Sequence, residues 1–146
     1  MFSEENNNFL SQDLKTNNNL NIPSITNYFT LFADLNDEKI NKKLIANLKN
    51  HNSDEKYFFS SIDPKHETFN EKRYWRGPVW INCNWLVYQG LKNKDKEYSN
   101  LLKKRTIDLI EEKGFHEYYS CINGNVMGAN NFSWSASLYL DLVLEN

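Results

Sequence analysis

Gly114-Phe115-His116-Glu117-Tyr118-Tyr119 sets a glutamate among aromatic residues directly after a helix ends. A carboxylate with apolar neighbours tends to have a shifted pKa and suits acid or base work. Its rivals are placed differently. Asp108, Glu111 and Glu112 fall on a helix that keeps a solvated face, and Asp63 and Glu67 lie in an aromatic loop where they could bind a hydroxyl. By composition alone Glu117 could equally be an ordinary surface glutamate. A second segment, Tyr74-Trp75-Arg76-Gly77-Pro78-Val79-Trp80, places two tryptophans and a tyrosine where a long loop meets a buried helix. Aromatic faces stack on the apolar faces of sugar rings, and Tyr and Trp add a polar handle. Arg76 offers fixed donors to hydroxyl or carboxylate oxygens. A third segment, Gly128-Ala129-Asn130-Asn131-Phe132-Ser133-Trp134-Ser135, has small residues that let backbone approach closely. Its Trp134 could line a pocket or be the core residue of a helix start.

The elements that must position these residues are mostly helical. Pro23 and Ser24 offer a helix start, and Ile25, Tyr28, Phe29, Phe32 and Leu35 follow helical spacing. Asp37 can cap a second helix with an apolar stripe of Ile40, Leu44, Ile45 and Leu48 and a polar flank. Residues 51–77 read as a long loop, and its aromatic content argues against a disordered linker. Pro78 suits the first position of a third helix, apolar almost all round to about Leu91 and therefore buried. A fourth helix from about Lys96 to Glu112 is amphipathic and ends at Gly114. Phe115–Tyr119 is expected to be extended, Asn123-Gly124 to turn, and a fifth, largely apolar helix to run from Asn131 or Ser133 through Leu144. Residues 1–21, rich in asparagine, read as a loop or frayed end, with room for a short extended piece near Phe9–Leu14. Polar-flanked and buried helices alternate, as a toroid of helical hairpins requires, and five helices do not close such a ring.

The composition excludes several roles. There are 17 basic and 19 acidic residues, well mixed, so nucleic acid has no basic stripe to bind. Cys83 and Cys121 form no CxxC pair, and His51, His66 and His116 complete no zinc pattern, so neither a metal nor another cofactor is expected. The reading is of two thiols in a reduced compartment. Neither a signal sequence nor a membrane-spanning run is visible, which makes the cytoplasm the expected location.

Taken together, the three segments resemble the C-terminal half of the catalytic domain of glycoside hydrolase family 63 and its bacterial relatives, which include mannosylglycerate and glucosylglycerate hydrolases. The matching motifs, in family order, are Tyr74–Trp80, Asn84-Trp85, Gly114–Tyr119 and Phe132–Trp134. Ile22-Pro23-Ser24 and Phe29–Ala33 look like the family's helix before the long loop, and the resemblance spans roughly residues 10–144. It implies an all-α fold, part of an (α/α)6 toroid, that hydrolyses glycosidic bonds with inversion. It implies Glu117 as general base, a sugar pocket lined by Tyr74, Trp75, Trp80 and Trp134, and substrate contacts from Arg76 and His116. The family's general acid is an aspartate in a Gly- and Trp-rich motif that has no counterpart here. The expectation is therefore a C-terminal fragment of an enzyme acting on a saccharide, inactive alone, that is either the product of a truncated or split gene or one half whose N-terminal half is supplied by another chain. Ser120-Cys121-Ile122 also departs from the family's Asn or Asp, often followed by Pro, as do Ser135 and Ser137 from its Thr and Ala. The alternatives are a sugar-binding protein derived from such an enzyme and a helical interaction domain.

Overall fold

The computed structural model describes residues 2–51 and 56–145. Residues 52–55, part of the expected loop, lie outside them. The chain opens with two antiparallel pairs, β1 (Phe2–Ser3) with β2 (Asn8–Phe9) and β3 (Ser11–Gln12) with β4 (Asn19–Leu20). A 3-10 turn (Ile25–Tyr28) leads into the short α1 (Thr30–Ala33), followed by α2 (Glu38–Asn50), α3 (Ile81–Leu91) and α4 (Lys96–Lys113). Then come β5 (His116–Tyr119), β6 (Val126–Asn130) and α5 (Ser133–Leu144). The helical framework is the expected one. The all-α description must widen, because the described residues also form three two-stranded antiparallel sheets. Residues 2–20 form hairpins, not a frayed end. Positive φ at Asn7 and Asn17 turns them, a conformation asparagine tolerates.

Local chemistry explains most boundaries. Asp37 caps α2 by accepting the Ile40 N–H at 3.0 Å, and Asp95 caps α4 by accepting the Tyr98 N–H at 3.0 Å. Gly114, at φ 85°, ends α4. The first helix expected from sequence is split: Asp34 and Asn36, both with positive φ, stop α1 after one turn. Helix α3 begins at Ile81, three residues later than expected. Val79 is committed to pairing: its N–H donates to Tyr119 O at 2.7 Å and its C=O accepts from Tyr119 N at 3.0 Å. Residues 78–80 are therefore extended, and the first helical bond runs from Asn84 N to Trp80 O at 3.1 Å.

The main core joins Ile25, Tyr28 and Leu31 to Leu44 and Leu48 of α2, Phe58 and Phe59 of the loop, Cys83, Val87 and Leu91 of α3 and Leu102 of α4. A second cluster gathers Tyr57, Val79, Ile81, Leu109, Ile110, Tyr119 and Cys121. As expected, α3 is buried along most of its length and α4 along one face only. Helix α5 is not enclosed as its composition suggests. Among its residues Ser135 and Leu142 are buried, while Leu140 is 55% and Leu144 73% exposed, because α3, α4 and β5 cover only one side of it.

A ladder of short pairings ties the loop to β5. Ile62 bridges Ser24, Ser60 bridges Val79, Val79 bridges Tyr119, and β5 pairs with β6. Buried Asn84 locks the same loop to α3: its amide accepts the Phe59 N–H at 2.8 Å and donates to Phe58 O at 2.7 Å. Residues 57–62 of the loop are thus core, while Tyr74–Arg76 at its end lie at the surface.

Candidate active site

Glu117 sits in the middle of β5, opposite an irregularity. His116 pairs with Asn130 and Tyr118 with Met127, so one residue on β5 faces two, Gly128 and Ala129, on β6. That is a bulge, a device that re-aims side chains and recurs beside active sites. Gly128 has φ 73°, and a Cβ there would come within 2.6 Å of both Glu117 Oε2 and Tyr118 Cε1. The bulge turns the Ala129 N–H out of the ladder, and it donates to Glu117 Oε2 at 3.0 Å. From the other side the Tyr74 hydroxyl donates to Glu117 Oε1 at 2.6 Å. Both carboxylate oxygens therefore accept a hydrogen bond. Tyr74 first, then Ala129, hold the Glu117 carboxyl below the usual range, against a smaller opposing effect of desolvation. The same bond to Glu117 pushes the Tyr74 phenol up.

An aromatic platform adjoins this carboxylate. Trp75 and Trp80 stack with centroids 4.4 Å apart and planes 11° apart, and Trp80 stacks on Tyr118 at 4.9 Å. Tyr74 meets Trp80 and Tyr118 edge-on at 4.6 and 5.3 Å. Trp80 is buried, and its Nε1–H donates to Tyr74 O at 2.9 Å. Trp75 is 48% exposed, so the stack presents one open indole to solvent. That is a surface a sugar ring can cover.

The structure thus brings together Tyr74, Trp75, Trp80 and Glu117. His116 takes part through its backbone: its N–H donates to the Tyr119 hydroxyl at 3.0 Å and its C=O accepts from Ser135 Oγ at 2.6 Å. Tyr119 in turn donates to Gly114 O at 2.7 Å, which fixes the start of β5. Arg76 is exposed, and its backbone closes the turn to Asn70 and Arg73. Trp134 lies in the first turn of α5, half-exposed, with its ring 6.5 Å from that of Phe132. The rival Asp63 accepts the Lys65 N–H at 2.9 Å and lines a polar cavity of about 190 Å³ with Asn8, Tyr28 and His51. None of the residues lining that cavity belongs to the Glu117 cluster. Sequence reasoning missed Gly128 and Ala129 as partners of Glu117. The signal available was a Gly-Ala pair in a stretch of small residues, and only the bulge gives it meaning. Cys83 and Cys121 are both buried, and burial pushes the Cys83 thiol up to about 12. Among the described residues no group of three or more His, Cys, Asp or Glu is placed to hold a metal ion. No helix among them is long and apolar enough to cross a membrane.

Comparison with known proteins gives this geometry a family. The model of the mannosylglycerate hydrolase MGH1-like glycoside hydrolase domain matches residues 1–135, and the chain belongs to that family. Mannosylglycerate hydrolase of Thermus thermophilus is 34% identical over 135 residues, covering 90% of this chain and 32% of that protein. Glucosylglycerate hydrolase of Mycolicibacterium hassiacum is 32% identical over 82 residues, covering 56% of this chain and 18% of that protein. The crystal structure of a family 63 mannosylglycerate hydrolase, also from Thermus thermophilus and in complex with Tris, superposes with a TM-score of 0.92 at 31% identity. That match covers 99% of this chain and 35% of the other. The chain spans about a third of the length of the two mannosylglycerate hydrolases it matches from Thermus thermophilus and Rubrobacter radiotolerans.

Proposed function

We propose that this chain supplies the general-base side of an inverting glycoside hydrolase site, with Glu117 as the base. The observation that supports this most is the placement of Glu117. A carboxylate held at both oxygens, by the Tyr74 hydroxyl and the Ala129 N–H, adjoins a stack of Trp75, Trp80 and Tyr118. A carboxylate oxygen has more than one lone pair, so each keeps a position for a water. In an inverting reaction that water attacks the sugar carbon and loses its proton to the base, while an acid protonates the departing oxygen. The two carboxyl groups must stand about 6.5–9.5 Å apart to leave room for the water.

The acid is assigned to protein outside these 146 residues, either more of the same polypeptide or a partner chain. The exposed Leu140 and Leu144 of α5, with Phe32 of α1 and Leu35 just after it, favour further helical hairpins completing an (α/α)6 toroid over them. Trp75, Trp80, Trp134 and Arg76 are assigned to the sugar, with Tyr74 and His116 beside them. Mannosides and glucosides of glycerate are the substrate class, by likeness to the named hydrolases.

The test joins this chain, by fusion or mixing, to the acid-bearing remainder of a relative and assays mannosylglycerate and glucosylglycerate. Turnover should require both parts. Glu117→Gln should lower the rate constant at least about 100-fold while leaving saccharide affinity nearly unchanged, the mark of a contact made in the transition state. Near-normal turnover by Glu117→Gln would overturn the assignment. Saccharide binding without turnover in any combination would favour a binding protein.

A further inference from the structure

We infer that Tyr74 and the β6 bulge at Gly128-Ala129 are positioning elements for Glu117, a clamp that fixes which edge of its carboxylate meets the reacting water. The inference rests on the reading of Glu117 as base, but the clamp itself can be measured without turnover. Tyr74 is half-exposed, and a surface tyrosine beside a sugar platform would ordinarily offer its hydroxyl to the ligand. Here the hydroxyl is spent on Glu117 Oε1 at 2.6 Å. The ring is braced for that aim: Trp75, Trp80 and Tyr118 all meet it edge-on, with interplanar angles of 90°, 79° and 83°. The second donor is equally constrained. A backbone N–H cannot rotate, and the Ala129 N–H reaches Oε2 only because the bulge removes it from the strand ladder. Gly128 holds the bulge tightly against its target, with Glu117 Oε2 and Cβ both closer to its Cβ position than an added methyl allows.

Two donors from two separate segments define the carboxylate plane, whereas one would leave the group free to rotate about the bond it makes. The lone pairs left over then point in fixed directions. The clamp also favours the charged form, because both bonds are made to the ionised carboxylate. Losing either bond should move the Glu117 titration to higher pH.

The experiment is a pH titration of the Glu117 side-chain carboxyl carbon by NMR in the full chain, the resonance being identified by its loss in Glu117→Gln. In Tyr74→Phe, which keeps the ring and its contacts, the midpoint should move up. Tyr139→Phe removes a comparable exposed bond, from Tyr139 to Glu111 at 3.0 Å, and should leave the Glu117 midpoint where it was. In the unmodified chain the Ala129 amide resonance should follow the same titration. A Glu117 midpoint unmoved in folded Tyr74→Phe overturns the inference, as does an Ala129 amide indifferent to that midpoint, which needs no variant at all. In the reconstituted enzyme Tyr74→Phe should shift the acidic limb of kcat/KM upward with little change in KM. A rise in KM with an unmoved limb would instead mean that Tyr74 only lines the sugar pocket. If the midpoint moves and Glu117→Gln still turns over, the clamp stands and the assignment of the base falls.

Discussion

Replacing Asn84 should do more damage to the fold than its position on a helix suggests, and the form of the damage discriminates its cause. Asn84 is 1% exposed. Its carboxamide accepts the Phe59 N–H at 2.8 Å and donates to Phe58 O at 2.7 Å and to Thr106 Oγ1 at 3.2 Å. Phe58 and Phe59 are themselves buried, so the backbone groups they would lose as partners have no route to bulk water. Each buried donor or acceptor left without a partner costs about 1–3 kcal/mol. Two such groups give about 2–6 kcal/mol, a large part of the ~5–15 kcal/mol that stabilises a typical native protein.

The choice of replacement matters. Asn84→Ala leaves room beside one donor and two acceptors, a setting in which a buried water can make about three bonds. Its cost should fall at the low end, about 2–3 kcal/mol. Asn84→Leu fills the space with methyl groups and shuts the water out, and should cost about 3–6 kcal/mol. Thr106→Val removes only the acceptor of the longest bond, and about 1 kcal/mol is expected. Urea unfolding followed by circular dichroism measures all three, with equal slopes confirming that the same transition is compared. The reasoning fails if Asn84→Leu is as stable as Asn84→Ala, or if either lies within about 1 kcal/mol of the unmodified chain.

Two further expectations concern the site and the core. Gly128→Ala should cost about 1–2 kcal/mol from the left-handed backbone alone, and the new methyl must displace the Glu117 carboxylate from Ala129. Unfolding and the Ala129 amide resonance report the two effects separately, and no change in either would mean that the bulge is not as described. The stability of the unmodified chain should fall below about pH 6.5 in a way that His51→Phe abolishes. Burial first, against smaller opposing effects of Asp63 and the Ser60 carbonyl, holds His51 below its ordinary value of 6.5. The unfolded chain then binds the proton more readily, so the His51 contribution is complete above the unfolded pKa and is lost as pH falls toward the depressed folded one. Equal pH slopes between about 6.5 and 5 in the two proteins would refute it.

The helices and the aromatic cluster were legible because their signals are periodic or local. Leu44, Ile45 and Leu48 mark the buried face of α2 in any reading, and Asp37 announces the cap it makes. Glu117 stood out because its neighbours are aromatic. The two N-terminal hairpins did not stand out, since strands of two residues have no alternation to detect and asparagine is common both in turns and throughout this sequence. Burial of Phe58 and Phe59 was similarly hidden, because an irregular segment has no period to show which way its side chains point. The apolar surface of α5 misled in the opposite direction. Composition tells that a face needs covering, not whether the covering residues are in the same 146.

The start of α3 shows why the site could be named from sequence more easily than it could be built. Pro78 is a sound first residue for a helix, and nothing nearby argues against it. What delays the helix to Ile81 is a partner 40 residues away: Val79 gives both of its backbone groups to Tyr119. The same pairing sets the whole site. It leaves Trp80 extended at the helix mouth, where its ring can lie between Trp75 and Tyr118, and it fixes β5 at the residue two beyond Glu117. On the far side of β5, two residues of β6 lie opposite one, and the surplus N–H finds the carboxylate. Residue types therefore disclose that a carboxylate and a sugar platform are available. Their alignment is a property of two long-range strand pairings, each only a few residues long, whose energetic cost of misregistry is the loss of the Glu117 and Trp80 geometry together. A substitution that breaks the Val79–Tyr119 pair, such as Val79→Pro, which removes the donating N–H, would accordingly be expected to disturb the platform and the base at once.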